Sequence, residues 1–235
     1  MKTTIHVTLQ TAALTLCASL SSATVLFQDD FEASLSQWTG KSGGAHSGVI
    51  VSDPLAPANK VLTFTGLNFS GDIFTQSIIP FTDYSQVFVE FRYLGLAQAQ
   101  SVPDNFGGFF GVALNQNPSG NASWIAGTDT SAANGLGFQG DHLLDDSNWH
   151  SYHIEITPIL TNNNINAMFL MMEDWGGAGG VAGDAYFDDI KVTGVPEPTS
   201  LSLLLLGSLA VLRRRSLRTH ERCARLLHLN TLPAV

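Results

Sequence analysis

The chain is poor in the residues that small secreted domains and nucleic-acid binders depend on. Its 235 residues include only two cysteines, Cys17 and Cys223, both close to the ends. No disulfide can therefore staple the long middle of the chain, and no thiol is available there as a nucleophile. Positive charge is just as scarce. Between Thr24 and Gly194 the only Lys and Arg residues are Lys41, Lys60, Arg92 and Lys191, against eighteen Asp and Glu residues, a balance of −14. Such a body is unsuited to binding nucleic acid or anionic lipid; it suits neutral glycans, divalent cations or plain solubility. The same region has no long helical periodicity, no Gly-x-Ser-x-Gly elbow and no glycine loop leading from a strand into a helix, which argues against hydrolase-elbow and phosphate-cradle chemistry. No internal repeat of fixed period is present.

What is present divides the chain into four parts. Residues 1–23 carry Lys2, an apolar stretch around Ala12 to Leu20 and the small residues Ser21, Ser22 and Ala23 before Thr24, the pattern of a secretory signal peptide. Residues 24–194 form the body. Residues 195–215 hold Val195, Pro196, Glu197 and Pro198, then the apolar run Leu201 to Leu212, then Arg213, Arg214 and Arg215. Residues 216–235 are a basic terminal tail with Arg218, Arg222 and Arg225 among leucines.

The third part reads as an address. Its prolines impose an extended backbone on Val195 and Glu197, so no helix begins before Thr199. Twelve apolar residues then make about 18 Å of helix, short of a ~30 Å hydrocarbon core. The arginines are expected to stop transfer on the cytoplasmic side. This order of Pro-Glu-Pro, apolar segment and basic cluster resembles the PEP-CTERM sorting signal of exopolysaccharide-producing Gram-negative bacteria. The resemblance implies an exosortase-like processing enzyme as partner, transient anchoring in the inner membrane, and delivery to the cell surface or extracellular matrix.

In the body, short runs bounded by Gly, Asn, Asp and Pro predict about ten strands. The clearest is Gln86 to Leu94, with Val87, Val89, Phe91 and Tyr93 on one face and Glu90 and Arg92 on the other. Another runs from Trp149 to Thr157, where Tyr152, Ile154 and Ile156 oppose His153 and Glu155, and Pro158 is expected to end it. Asn162, Asn163 and Asn164 then read as a hairpin-like return. In the last strand, Ala185 to Thr193, a period of two puts Tyr186, Asp188, Ile190 and Val192 on one face. The fold expected is all-β, an antiparallel jelly-roll β-sandwich flanked by an N-terminal signal helix and a C-terminal hydrophobic helix.

Asp30, Phe31, Glu32 and Trp38 near the start, Trp149 in a late strand, and Tyr186 to Ile190 at the end resemble the jelly rolls of carbohydrate-binding modules and of concanavalin-A-like lectin or glucanase domains. In such modules the first and last strands supply oxygen ligands to a structural calcium, which this resemblance carries onto Asp30, Glu32 and Asp188. Independently, an ionised Asp188 on an apolar face needs a partner. Trp175, beside Glu173 and Asp174 at the start of a glycine-rich loop, and Trp124 are the candidates for stacking on a sugar, whereas Trp38 and Trp149 read as core. His150 and His153 fall on opposite faces of one strand and cannot chelate one ion together. Catalytic residues are not identified: the alternating Glu-x-Asp-x-Glu run of concanavalin-A-like glucanases is missing. The function expected is a non-catalytic, exported matrix or surface protein whose body is either structural or binds a glycan, a neutral exopolysaccharide being the candidate; the alternative is a secreted polysaccharide-active hydrolase or lyase.

Overall fold

The described residues form twelve strands, β1 (Thr24–Asp29), β2 (Trp38–Gly40), β3 (Gly48–Ser52), β4 (Lys60–Phe64), β5 (Ile73–Thr75), β6 (Tyr84–Gly95), β7 (Gly107–Ala113), β8 (Ala122–Gly127), β9 (Phe138–His142), β10 (His150–Glu155), β11 (Phe169–Trp175) and β12 (Ala185–Pro196). The computed structural model describes residues 22–68, 71–96, 107–117, 122–128, 138–165, 168–175 and 181–197. The expected signal peptide and terminal helices, with Pro198, Arg213, Arg214 and Arg215, lie outside the described residues. Residues 22–196 form one compact unit.

Two sheets face each other. The first has the order β10-β6-β12-β4-β3, with β1 pairing β12; the second has the order β2-β5-β11-β7-β8-β9. Among the described residues every pairing between these strands is antiparallel except that of β8 with β9, which is parallel. The β-sandwich expected from the sequence is therefore the fold.

The inner faces supply the core. From β6 come Val87, Val89, Phe91 and Tyr93, as alternation requires; Leu170 and Met172 of β11, Phe110 and Val112 of β7 and Ile125 of β8 meet them from the second sheet. Phe91 bridges the two layers. Its ring stacks on Phe110 at 4.5 Å and 9°, and on Tyr152 at 5.2 Å. Each such fully buried aromatic contributes roughly 1.5–3 kcal/mol of transfer free energy, and each well-placed ring pair about 0.5–1.5 kcal/mol more. A core of this kind explains how the fold dispenses with a disulfide.

Two local expectations are corrected. In β12 the period of two is broken by a β-bulge, marked by Asp189 at φ 51° and a register shift between Asp188 and Lys191. Before the bulge Phe187, not Tyr186, enters the core and β12 pairs β4; after it Ile190 and Val192 enter and β12 pairs β1. The extra residue puts Asp188 on the face opposite Phe187, so it does not point into the apolar core. Beyond β10, Pro158 begins an element as well as ending one. It sits in the first turn of a short helix, α1 (Thr157–Asn162), where its missing N–H is no loss, and Ile159 and Leu160 close the end of the core.

Candidate functional site

Three groups of side chains stand out, and the first contains the residues expected to hold calcium. The turn after β3 is built on Asp53, whose Oδ1 accepts the Leu55 and Ala56 amides at 2.8 and 3.2 Å. Both Asp53 oxygens also accept the Trp149 indole N–H at 3.1 Å. Asn59, at the end of the same turn, points its Nδ2 at Asp53 Oδ2 (3.3 Å) and Asp188 Oδ2 (2.9 Å). Asp188 Oδ1 accepts the Asp189 amide at 2.8 Å, and the Arg92 guanidinium lies 3.4 Å from Asp188 and 3.5 Å from Asp189. That guanidinium also sits 4.6 Å over the Trp149 ring. Trp149 is therefore half-buried over an ion pair, not core as its sequence context suggested.

The electrostatics follow from these contacts. Burial pushes the Asp188 carboxyl up; the Asn59 amide, the Asp189 amide and Arg92 pull it back only in part. Burial acts on Asp53 in the same sense, but its donors Leu55, Trp149, Asn59 and Ala56 outweigh it and hold the carboxyl below its ordinary range.

Asp30 and Glu32 are exposed. Asp30 Oδ1 accepts the Glu32 amide at 3.2 Å, and Glu32 Oε1 accepts the Lys60 amide at 3.0 Å. Each of the three expected ligands thus has protein donors of its own. Among the described residues no three His, Cys, Asp or Glu side chains are grouped to hold a metal ion.

The second group occupies the outer face of the second sheet. There Phe74, Phe109, Trp124, Met171 and Trp175 form an apolar cluster separate from the main core. Phe109 lies 5.3 Å from Trp124 and 5.8 Å from Trp175. Trp124 is 0% exposed and is accommodated because Gly111, beneath it, has no side chain; it offers no ring face to solvent, contrary to its expected place on a sugar. Trp175 is 9% exposed, at the last residue of β11. Two residues before it on the same face, Glu173 is fully buried and accepts the Gly71 amide at 2.7 Å through Oε2.

The third group was not anticipated. Asp174 is the penultimate residue of β11, on the inward side, Asp184 immediately precedes β12, and both are buried. Burial first, and then the charge of Asp184, push the Asp174 carboxyl up to about 8, against the Gly183 amide that donates to Asp174 Oδ2 at 2.8 Å. Nearby, the Tyr93 hydroxyl donates to Asp145 Oδ1 at 2.7 Å and accepts the Gly108 amide at 2.9 Å. Burial and the Asp145 charge raise the phenol well above its usual range. The only trace of this cluster in the sequence is the pair of aspartates bracketing the glycine-rich loop.

The remaining sequence candidates fall at the edges. His150 Nε2 lies 2.9 Å from Asp146, while His153 stacks on Phe88 at 5.0 Å and lies 3.3 Å from Glu90, so the two imidazoles serve different partners. Val195 and Pro196 belong to β12, opposite Gln86 and Tyr84 of β6, and the Ser85 hydroxyl donates to the Val195 carbonyl at 3.2 Å. Glu197, the next residue, is outside any strand and exposed. Among the described residues no helix is long and apolar enough to cross a membrane.

No protein-family model matches the chain. No curated protein matches it. Solved structures with a similar chain course include the tandem CBM22-1-CBM22-2 domain of Paenibacillus barcinonensis Xyn10C, at 15% identity and a TM-score of 0.47, covering 74% of this chain and 50% of that one. The CBM22-1-GH10 modules of Clostridium thermocellum xylanase 10B align at 10% identity and a TM-score of 0.45, over 76% and 30% of the two chains. A xylan-binding CBM22 domain aligns at 11% identity and a TM-score of 0.44, over 74% and 97%. This chain thus spans half or less of the first two. Likeness at this level carries no ligand and no activity across to it.

Proposed function

We propose that this protein is an exported, non-catalytic β-sandwich, delivered to the cell surface or extracellular matrix through its C-terminal segment, where the body binds a neutral glycan. The observation that carries the reading is the order of parts around Pro196. Strand pairing stops at Pro196, and the Pro-Glu-Pro, apolar and arginine series of residues 195–215 continues directly from it. An exosortase-like enzyme would recognise the Pro196-Glu197-Pro198 series that follows the last strand in sequence, with the inner membrane as a transient partner. Replacing Pro196, Glu197 and Pro198 by alanine should leave a larger, membrane-retained form; unaltered release would overturn the sorting role.

Glycan binding rests on the body's balance of −14, which repels polyanions, and on Trp175 at the end of the aromatic outer face. An aromatic ring is the group on which a sugar's apolar face stacks. Trp124 is left out of this reading. A catalytic role is disfavoured because the carboxyl pushed furthest up, that of Asp174, is buried against Asp184 inside the fold, whereas glycoside hydrolysis needs two carboxyls across an open cleft, about 5–9.5 Å apart. A glycan array probed with the full-length protein and its Trp175→Ala variant tests this half: binding by the first and loss in the second is expected, and no binding by either would refute it.

A further inference from the structure

Thr24, the first residue of β1, stands opposite Gly194 of β12, and the two strands run antiparallel. Among the described residues Gly194 is the last of β12 with a strand on each side. Towards β6 it faces Val87, and the Tyr84 ring lies so close against it that a side chain at this position would collide. Val195 and Pro196 follow. Among the described residues only β6 pairs with them, through Gln86 and Tyr84, and the Ser85 hydroxyl of the same strand holds the Val195 carbonyl at 3.2 Å.

The other flank of Val195 and Pro196 is where β1 runs out. Followed backwards from Thr24, the chain heads the same way as β12 does beyond Gly194. Continued in that register, Ala23 falls beside Val195 and Ser22 beside Pro196, at a strand spacing of about 4.8 Å. Both residues are exposed and outside any strand. Ala23 is the last residue of the expected signal peptide, and Val195 is the first of the sorting series. The two points at which the body is to be cut free are therefore neighbours across one sheet.

A processing enzyme that grips an extended segment does so along a free backbone flank, in the manner of an added strand. For Val195 and Pro196 one flank is taken by β6. The remaining one adjoins the point where residues 1–23 join the body. From this juxtaposition we infer that hydrolysis of the Ala23–Thr24 bond has to precede C-terminal processing, because removal of residues 1–23 clears the flank of Val195 and Pro196 that a processing enzyme can use. Water is the co-reactant of that first step; Ala23 leaves with a carboxylate and Thr24 keeps a free α-amino group. The first cleavage thus supplies the substrate of the second. This order presupposes the sorting reading of residues 195–215 and adds to it a condition set by the fold.

The test follows the terminal tail, residues 216–235, by immunoblot, and both chain ends by intact mass, in cells carrying an exosortase-like enzyme. Three full-length forms are compared. Beside the wild type stands Ala23→Phe, whose ring replaces the small residue that signal cleavage requires. The third form is Ala23→Phe with about ten Gly and Ser residues inserted before Thr24, a spacer of roughly 17 Å. The expected result is loss of the tail in the wild type, retention of the tail together with residues 1–23 in Ala23→Phe, and loss of the tail with residues 1–23 still attached in the spacer form. Loss of the tail from Ala23→Phe while residues 1–23 remain would overturn the order and leave the sorting reading standing. Retention in both variants would also overturn it, since a defect caused by the substitution itself appears in both, whereas one caused by the register of β1 on β12 is relieved by the spacer. A wild type that begins at Thr24 and keeps its tail would refute the sorting reading, and this order with it.

Discussion

Arg92 on β6 holds its guanidinium 3.4 Å from the carboxylate of Asp188 on β12, and the two are unequally exposed, at 32% and 2%. The buried partner therefore depends on the other for most of its compensating charge, while Arg92 keeps contact with water and with the Trp149 ring. Substituting Arg92 by Met leaves Asp188 buried with only the Asn59 and Asp189 amides. The expected loss is about 1–3 kcal/mol, read as a lowered midpoint in denaturant. Asp188→Asn should cost less than Arg92→Met, because it removes the charge that needs compensating; the reverse order would contradict this account of the pair.

Asp53 gives the fold an acid-sensitive joint. Its carboxyl is held below its ordinary value in the folded state, so the charged form is favoured by folding. The resulting stability is fully present above the unfolded value of about 3.9 and is lost as pH falls through the lower folded value. Asp53→Asn should flatten this part of the curve of stability against pH while retaining the turn's side-chain acceptor for the Leu55 amide. Thermal midpoints of both proteins across the acid range check it, and parallel curves would count against it.

The two outer-face tryptophans should separate in their effects. Trp124→Ala empties a fully buried site over Gly111 and is expected to cost about 3–5 kcal/mol. Trp175→Ala, at the rim of the same cluster, should cost less in stability and abolish glycan binding. Denaturation curves beside the array measurement distinguish the two roles; equal destabilisation would make Trp175 a packing residue only.

The bulge in β12 supplies a backbone prediction. Asp189 adopts φ 51°, a region Asp tolerates and β-branched residues do not. Asp189→Val should destabilise by about 1–2 kcal/mol, whereas Asp189→Gly should not. Equal losses in both would place the cost in the side chain's contact with Arg92 instead of the backbone.

These sites show where the sequence was legible. The face of β6 could be read because Val87, Val89, Phe91 and Tyr93 alternate against Glu90 and Arg92 without interruption, and one face is core. The face of β12 could not, because the residue inserted at Asp189 shifts the alternation and only its pairing with β6 reveals the shift. Pro158 reads as a strand terminator from either neighbour, but it fits the first turn of α1 equally well. Asp188 needed a partner on any reading. That the partners are Arg92 and Asn59 is a matter of which strands lie side by side. The approach of Asp174 to Asp184 depends on two sheets meeting across a glycine loop, which periodicity within a strand does not express. Trp124 and Trp175 were singled out as large aromatics, but their burial is a property of the whole outer face.

The central claim, that the sandwich is released by processing where its last strand ends, is tested most directly by the intact mass of the protein recovered outside the cell. The account predicts a species beginning near Thr24, ending within Val195 to Pro198, and lacking residues 201–235. A recovered protein that still carries the apolar run and Arg213 to Arg215 would contradict it.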